Sequence, residues 1–344
     1  MAKFKTPQDI KVGVIGYGGA FNMGRQHLTF MKQAGMTPVA VTELDESRLK
    51  VAEEEFPGIQ TYTSVATMLK KSDVNLVVII TPHNTHAKLA LQCLRAGRSV
   101  ISEKPLAITT AECDAMIREA KKRKLLLSTY HNRHWDGCVL EALKQLHQRK
   151  VIGEIYRIEA HMGGYNPPGD WWRGSKSISG GILYDWGVHL LEYSLQIMQS
   201  DIVEVTGFSH TGFWSDKTRW KKDTNEDEAT AIVRFKNGSW INLTMSAMAS
   251  NPRKGWLEIT GTTGTYTFDG GTYEILQKKG ARTIVTSGKN PNNQYPKYYQ
   301  NIAANLSTGE KLIITPEWSR RPIHILDLAC KSAVQGKSIK SKYA

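Results

Sequence analysis

The chain of 344 residues lacks an uninterrupted apolar stretch of the roughly eighteen residues that a membrane-spanning helix needs. Its first ten residues, MAKFKTPQDI, contain no apolar signal region and lead almost directly into an apolar strand. These two absences predict a cytoplasmic protein that neither crosses nor enters a membrane.

Cysteine is scarce, and none of the four cysteines belongs to a C-x-x-C pair. Isolated cysteines suit a reducing compartment, and we expect most of them to pack in the core. His131 and His134 form a close histidine pair, but no cysteine or acidic cluster of ligand spacing surrounds them. The sequence therefore predicts no metal site. The cysteines are Cys93, Cys113, Cys138 and Cys330.

The formal net charge of +13 raises the question of a nucleic-acid partner. The excess is spread over the chain, because residues 1–125 hold 18 Lys and Arg against 12 Asp and Glu, and the rest hold 27 against 20. A DNA-binding protein usually concentrates its basic residues on one helix or tail. We therefore expect no nucleic-acid partner, and part of the surplus is available to an anionic cofactor or substrate.

A βαβ unit is predicted between residues 75 and 106. Two short apolar runs, Leu76–Ile80 and Ser99–Ser102, flank a segment with helical periodicity, as buried parallel strands do in such a unit. In an open parallel sheet the carboxyl ends of the strands form the ligand crevice. We therefore expect the polar residues after each run, Thr81-Pro82 and Glu103-Lys104-Pro105, to line a binding site.

A glycine-rich turn, Gly16-Tyr17-Gly18-Gly19-Ala20, follows the first apolar strand, Lys11–Ile15. Such a turn lets backbone N–H groups approach a pyrophosphate at the N-terminus of the next helix. The G-x-G-x-x-G pattern would place its third glycine where Phe21 stands, so the loop is three residues longer and Gly24 is the matching glycine. The predicted cofactor contacts of this turn are Gly16, Gly18, Gly19 and Ala20.

The second predicted strand, Thr37–Thr42, ends in Glu43. An acidic residue at this tip accepts hydrogen bonds from the adenosine ribose and repels a 2′-phosphate, so NAD is favoured and NADP remains the alternative. Glu43 has a second interpretation as a helix cap, a role that we expect for Asp45. Strands and helices alternate as far as Tyr130, which predicts a doubly wound Rossmann domain over residues 1–130.

After residue 130 the pattern changes to a helix, a long strand, an aromatic loop and then a series of strands. This pattern predicts an α+β domain over residues 131–344, with a large, mainly antiparallel sheet that is open on one face. Such a face commonly mates with another subunit, so we expect a homodimer or homotetramer. Loop 212–228 is predicted to be either a lid or a subunit contact.

The segment Gly180–His189 reads GGILYDWGVH and lies in a helix predicted from Gly180 to Gln196. Residues four apart on a helix share one face, so Asp185 would lie beside His189. A carboxylate beside an imidazole orients the ring and raises its basicity, as a general base requires. The alternative is a purely structural hydrogen bond. The loop at residues 163–174 mixes rigid aromatic rings with polar groups, which is typical of polar ligand sites.

These motifs together resemble the glucose–fructose oxidoreductase and inositol dehydrogenase (Gfo/Idh/MocA) family. The family carries T-P-x-x-x-H, A-G-x-x-V, E-K-P and G-G-x-x-x-D-x-G-x-H in this order. The matching residues are Thr81, Pro82 and His86, then Ala96, Gly97 and Val100, then Glu103, Lys104 and Pro105, and finally Gly180, Gly181, Asp185, Gly187 and His189. The resemblance extends from Lys11 to about residue 339, and Glu192 stands where family members often carry an aspartate.

The resemblance implies NAD-dependent oxidation of a secondary hydroxyl of a sugar, cyclitol or derivative. His189 would take the hydroxyl proton and Lys104 would stabilise the developing oxyanion. A cis peptide bond between Lys104 and Pro105 would turn the lysine into the crevice. A glycosidase that uses NAD transiently and a cofactor-binding regulator without turnover are the alternatives. The further cofactor contacts that it implies are Thr81, Asn84, His86, Glu103, Lys104, Trp172 and Arg173. The implied substrate contacts are Lys104, Tyr165, Arg173, Asp185 and His189.

Overall fold

The computed structural model describes residues 3–343. Residues 3–132 and 296–320 form one compact unit around a six-stranded parallel sheet with the order β3-β2-β1-β4-β5-β6. Its strands are β1 (Lys11–Ile15), β2 (Thr37–Thr42), β3 (Gln60–Tyr62), β4 (Leu76–Ile79), β5 (Ser99–Ser102) and β6 (Leu127–Thr129). Its helices are α1 (Met23–Gln33), α2 (Glu46–Glu55), α3 (Val65–Lys71), α4 (His86–Arg95), α5 (Thr110–Arg123) and α9 (Pro296–Ser307).

The central strands of this sheet are apolar along their length because both of their faces are covered. Every residue of β4 and β5 is buried, as is every residue of β1 after the first. The strand order reverses between β1 and β4, and the crevice outside the carboxyl ends of strands at such a switch point is where ligands bind in this architecture. The Rossmann sheet that was predicted is confirmed.

Residues 133–295 and 321–343 form a second unit around a nine-stranded sheet with the order β14-β13-β12-β11-β7-β10-β9-β8-β15. Its longer strands are β7 (Ile155–Gly163), β8 (Ile202–His210), β9 (Glu228–Phe235), β10 (Trp240–Ser246), β13 (Thr272–Lys279) and β14 (Arg282–Lys289). The short ones are β11 (Leu257–Gly261), β12 (Gly264–Phe268) and β15 (Ile339–Lys340). Only β7 and β10 pair in parallel, so the predicted mainly antiparallel sheet is confirmed.

One face of this sheet is covered by helices. In β9, Ala229, Ala231, Val233 and Phe235 are buried while Ile232 and Arg234 are exposed, so the period of two places alternate residues on the core face. The helices of the unit are α6 (Gly137–Leu143), α7 (Lys176–Ser179), α8 (Gly187–Ile197) and the larger part of α10 (Pro316–Gln335). On the other face, β8 and β9 carry exposed side chains and β10 carries half-buried ones.

The unit boundaries and the predicted division at residue 130 differ in one respect. Helix α9 and the residues up to 320 group with the first unit, although they follow most strands of the second unit in sequence.

Cys93, Cys113 and Cys138 are buried, as expected of packing cysteines. Among residues 3–343, no helix is long and apolar enough to cross a membrane, and no group of three or more His, Cys, Asp or Glu is placed to hold a metal ion.

Candidate active site

The glycine turn after β1 has the backbone that a dinucleotide requires. Gly16 has a φ of +101°, and a Cβ at this position would lie 2.4 Å from the carbonyl oxygen of Ile80, so only glycine fits. No described atom lies within 4 Å of a Cβ built on Gly18, which leaves open space beside the exposed residues Gly18, Gly19 and Ala20. The turn therefore offers bare backbone at the position where a pyrophosphate binds in this architecture.

Helix α1 packs closely against a buried tyrosine of the glycine turn. The Tyr17 ring is 2% exposed, and its hydroxyl donates to the Glu55 carboxylate. A Cβ on Gly24 would lie 2.4 Å from Cδ2 of Tyr17, so helix α1 can approach the turn only because residue 24 is glycine. Gly24 thus supplies the close packing expected of the third glycine of the motif.

Glu43 is fixed between the glycine turn and the end of β2. Its Oε2 accepts the Tyr17 N–H at 2.6 Å, and its Oε1 accepts the Leu44 N–H at 2.6 Å. Asp45, not Glu43, caps α2 by accepting the Ser47 N–H at 2.9 Å, as expected. Arg48 donates from Nε to the Tyr17 carbonyl at 3.0 Å and so supports the same loop. The sequence analysis missed Arg48, since nothing local connects it with a turn 31 residues earlier.

His86 has a different place from the predicted one. It is fully buried, and its ring nitrogens lie 2.8 Å from the Pro105 carbonyl and 2.9 Å from the Thr81 carbonyl. Burial lowers the pKa of His86, against the opposing effect of the two carbonyls. A ring without exposed surface cannot touch a cofactor, so His86 ties the ends of β4 and β5 together. Thr81 remains half-buried and Asn84 exposed at the surface of these strand ends.

A buried network holds the turn that carries Lys104, whose bond to Pro105 is cis as the motif predicted. Glu103 accepts the Lys104 N–H at 2.9 Å through one oxygen, and its other oxygen lies 3.1 Å from Nε2 of the fully buried His27. Nδ1 of His27 in turn hydrogen-bonds with the Tyr299 hydroxyl at 2.5 Å. Burial alone would raise the pKa of Glu103, but His27 and Lys104 together lower it.

The Glu103–His27 contact predicts a pH-dependent loss of stability. Because its folded-state pKa is depressed, Glu103 stabilises the fold above the unfolded value of about 4.3, and this stabilisation is lost as the pH falls through the lower folded pKa. Removing one partner of a buried pair costs about 3 kcal/mol or more. We expect Glu103→Gln to lower the free energy of unfolding by about this amount at neutral pH. The difference in free energy of unfolding between the variant and wild type should decrease below pH ~4.

Urea denaturation at a series of pH values measures this difference, with Glu54→Gln on the exposed face of α2 as the control. Equal stability of Glu103→Gln and wild type at neutral pH would show that the pair contributes nothing.

In the second unit, Arg173 lies beside two other predicted residues, Trp172 and Asp185. Its guanidinium lies 5.1 Å from the Trp172 ring centre and forms an ion pair with the Asp185 carboxylate. The Trp171 ring lies at 5.0 Å from the same group. Arg173 is 22% exposed and Asp185 36% exposed, so the pair meets solvent. This arrangement presents one cation, one carboxylate and aromatic rings to a polar ligand.

The predicted helix from Gly180 to Gln196 is wrong in its first part. Gly180 and Gly181 have φ values of +94° and +118°, and α8 begins only at Gly187. Asp185 therefore precedes the helix, and the argument from a shared helical face does not apply to it. The carboxylate instead pairs with Arg173. Residues 182–184 form a short 3-10 turn instead of the first part of the helix.

His189 lies on the first turn of α8, a helix whose residues are all buried, and is 6% exposed. Its ring contacts the edge of the Trp186 ring at 5.5 Å. The Arg133 guanidinium lies over the Trp186 ring, 4.7 Å from its centre. Arg133 also forms an ion pair with the Asp136 carboxylate at 3.0 Å. The sequence analysis missed Arg133, which supports the tryptophan that packs against His189.

Glu192 stands where family members often carry an aspartate, and it has a structural partner here. It is 1% exposed, accepts from Gln196 at 2.9 Å and lies 2.6 Å from Nδ1 of His134. The Glu192 carboxylate therefore ties α8 to the segment after residue 132.

The predicted substrate residue Tyr165 is half exposed, and its ring centre lies 5.4 Å from that of Trp214 in loop 212–228.

The fold and these residues define a Rossmann-type nucleotide-binding unit followed by an α+β unit that carries a group of polar and aromatic residues as a candidate ligand site. The family model described as "Oxidoreductase family, NAD-binding Rossmann fold" matches residues 10–131, and the GFO/IDH/MocA C-terminal domain matches residues 140–267. The chain therefore belongs to the Gfo/Idh/MocA family of NAD-binding oxidoreductases.

Its relatives include inositol and sugar dehydrogenases. The chain is 26% identical over 339 residues to myo-inositol 2-dehydrogenase of Thermotoga maritima, covering 96% of this chain and 98% of that protein. It is 23% identical to scyllo-inositol 2-dehydrogenase (NADP(+)) of Bacillus subtilis, covering 96% and 95%. Levoglucosan dehydrogenase, solved with NADH and levoglucosan, shares the fold with a TM-score of 0.81 at 20% identity, covering 97% and 99%.

Proposed function

We propose that the protein oxidises a secondary hydroxyl of a sugar, cyclitol or sugar derivative to a ketone, with NAD as the cofactor. The alcohol loses its hydroxyl proton and a hydride from the same carbon, so the atoms and electrons balance with one NAD reduced. NAD, when bound, supplies the hydride acceptor. The protein's part is to bind both molecules, to take the proton and to stabilise the charge that develops on oxygen.

We propose that the first unit holds NAD. The open backbone at Gly18 and its neighbours suits the pyrophosphate, and the Glu43 carboxylate, fixed by three backbone N–H groups, suits the ribose hydroxyls. Thr81, Asn84, Glu103 and Lys104 lie at the ends of β4 and β5, at the edge where ligands bind in open parallel sheets. In this proposal Trp172 and Arg173 of the second unit also contact the cofactor, as the family resemblance implies.

We propose that His189 is the general base and Lys104 its electrostatic partner. A neutral imidazole can accept the hydroxyl proton, and its packing against Trp186 fixes the direction of the ring. An ammonium near the developing oxyanion lowers the barrier because charge appears there only in the transition state. Arg173, Asp185 and Tyr165 bind the hydroxyls of the substrate in this proposal, and the ion pair with Arg173 holds the Asp185 carboxylate in place.

The observation that carries this proposal is the Lys104 turn, whose lysine N–H is held by Glu103 and, behind it, by the buried His27. A regulator without turnover would have no need of Lys104, Asp185 and His189 together. The test is incubation with NAD and a panel of inositols, sugars and glycosides. Net NADH formation supports a dehydrogenase, and release of a free sugar without net NADH supports the glycosidase. If neither NADH nor a free sugar is formed, the regulator is supported.

Tighter binding of NADH than of NADPH is expected, because Glu43 would face the 2′-phosphate. A like-charge contact at about 4 Å costs between about 1 and 4 kcal/mol, so the preference should lie between roughly fivefold and roughly a thousandfold. Glu43→Gln should lose most of it, whereas Glu46→Gln on the exposed first turn of α2 should keep it. Fluorescence titration measures both affinities. Preference of wild type for NADPH would contradict the assignment, and Arg48 would then be the basic residue to examine, since one relative is named for NADP.

We propose that the open face of the second sheet forms a homodimer or homotetramer. Phe208 on β8 is 58% exposed and Ile232 on β9 is 36% exposed, on the face that the helices leave uncovered. Burying such side chains in a subunit contact removes apolar area from water. Ile232→Glu should therefore reduce the mass measured by light scattering, whereas Val334→Glu, at an 87% exposed position of α10, should not. A monomeric wild type would reject this proposal.

A further inference from the structure

Five consecutive residues at the end of loop 212–228, Asp223 to Asp227, bind the backbone turns that carry the candidate substrate residues. We call this segment the brace. The brace forms an isolated β-bridge between Thr224 and Ser175, and each of its side chains makes further contacts. Its last residue, Asp227, is fully buried and accepts the N–H groups of Phe213 and Trp214 at 2.8 and 3.0 Å, which closes the loop on itself.

Asn225 connects the two turns on which the proposed chemistry depends. It is 8% exposed, and its Nδ2 donates to the Arg173 carbonyl at 2.6 Å. Its Oδ1 accepts from the Ser179 hydroxyl at 3.0 Å, directly before the Gly180-Gly181 turn. Its own N–H donates to the Gly174 carbonyl at 3.0 Å. One amide side chain therefore sets the spacing between the Arg173 turn and the turn that leads to Asp185.

Glu226 fixes the same turn from the other side. It is 3% exposed, and its Oε2 accepts the Ile182 N–H at 2.9 Å while its Oε1 pairs with Lys176 at 2.9 Å. A Cβ on Gly181 would lie 2.6 Å from Glu226 Oε2, so the second glycine of the motif is required by this contact as well as by its φ of +118°. The Gly180-Gly181 turn is thus shaped by a carboxylate 45 residues later in the chain.

Further contacts connect loop 212–228 with α7 and with residues 170 and 171. Asp223 caps α7 by accepting the Ser177 N–H at 3.0 Å. Just before the brace, Trp220 donates from its indole to the Trp171 carbonyl at 3.1 Å. The N–H of Arg219 donates to Asp170 at 2.9 Å. Loop 212–228 therefore holds residues 170–182 over their whole length, by contacts within one unit.

We propose that Asn225 and Glu226 are positioning residues, which hold Arg173 and the turn before Asp185 and His189 at the spacing that the substrate requires. This inference rests on the proposed function and gives loop 212–228 a role in substrate recognition. Their hydrogen bonds lie away from solvent, where a lost partner is poorly replaced by water. A misplacement of about 1 Å can reduce turnover by a factor of about a hundred, even when the change lies away from the reacting atoms.

Asn225→Asp tests the inference because it keeps the size of the side chain and the acceptor for Ser179, and removes the donor to the Arg173 carbonyl. We expect kcat/KM for the polyol to fall at least tenfold and KM to rise, with NADH affinity within a factor of two of wild type. A protonated aspartic acid can donate again, so the ratio of variant to wild type should move toward one as the pH is lowered. A purely structural defect would lower the melting temperature without this pH trend.

Asn290→Asp is the matched control, because Asn290 makes the same kind of bond, from Nδ2 to the Asp269 carbonyl at 2.8 Å, in the same unit. It should lose thermal stability and keep its kcat/KM. Should Asn225→Asp fail to fold, Ser179→Ala removes the bond to Asn225 Oδ1 together with the bond that the Gly181 N–H donates to the Ser179 hydroxyl, and its kcat/KM is compared with the control in the same way. A kcat/KM of Asn225→Asp equal to that of the control would overturn the inference.

Hydrogen exchange read by mass spectrometry gives a result that does not depend on the reaction. The amides of residues 171–182 should exchange faster in Asn225→Asp than in wild type, and at the wild-type rate in Asn290→Asp. Unchanged exchange at these residues would overturn the inference whatever the activity. If wild type produces no NADH from any polyol, the proposed function fails, while the exchange result still decides whether the brace holds these turns.

Discussion

Replacing His189 with alanine is expected to lower kcat/KM for the identified substrate by about a hundred- to ten-thousandfold, the usual effect of losing a general base. Binding of NADH should stay close to that of wild type, because the histidine is proposed to act on the hydroxyl proton and is not among the proposed cofactor contacts. The fold should tolerate the change, since Trp186 keeps its contacts with Trp256 at 5.4 Å and with Arg133.

Stopped-flow turnover and fluorescence titration of NADH measure the two effects separately. His147→Ala, a half-buried histidine at the end of the helical segment after α6, is the control and should keep full turnover. A His189→Ala enzyme that retains most of its turnover would refute the assignment of the base. If NADH affinity falls together with turnover, the histidine maintains the shape of the site instead. The kcat/KM of Asp185→Asn should lie between the values of wild type and His189→Ala, because the variant loses the carboxylate charge that pairs with Arg173 but keeps the size of the side chain.

Replacing Lys104 with alanine should reduce kcat/KM by a comparable factor. Loss of a charged partner of a developing oxyanion costs on the order of 3–4 kcal/mol, or roughly a hundred- to thousandfold in rate. The turn itself is held by Glu103 and His27 through the backbone N–H, so it should persist without the lysine side chain. Lys104→Met, which keeps the length of the stem, should be as inactive as Lys104→Ala.

Lys88→Ala on the exposed side of α4 is the control for loss of a positive charge from the first unit. The double change of Lys104 and His189 to alanine should cost less than the sum of the single changes, because both residues are proposed to act on one transition state. Additive effects would show that they act independently. Wild-type turnover in Lys104→Met would remove the lysine from the mechanism.

Much of this fold could be predicted because its signals are local. Short apolar runs that alternate with amphipathic segments identified the strands of the Rossmann sheet, and turn residues at the strand ends marked the positions of Glu43, Thr81 and Lys104. The glycine motif could be followed through its three-residue lengthening, because Gly24 is still needed where α1 packs on Tyr17.

The features that could not be predicted depend on contacts between distant parts of the chain. The helix predicted before His189 does not form because Gly181 turns against Glu226, a residue 45 positions later in the chain, and residues 182–184 form a 3-10 turn. The support of the Lys104 turn comes from Tyr299, which is 272 residues away from His27 in sequence. A histidine motif likewise does not show whether its ring faces a ligand, and His86 faces two backbone carbonyls.

The central claim is that the protein removes a hydride and a proton from one secondary alcohol carbon, with NAD as the acceptor. The most direct test uses the best substrate of the panel with deuterium on that carbon. Mass spectrometry should find one deuterium in the reduced nicotinamide and one equivalent of ketone with wild type, and neither with His189→Ala. Release of a free sugar with NAD unchanged at the end of the reaction, or reduced nicotinamide without the label, would contradict the account.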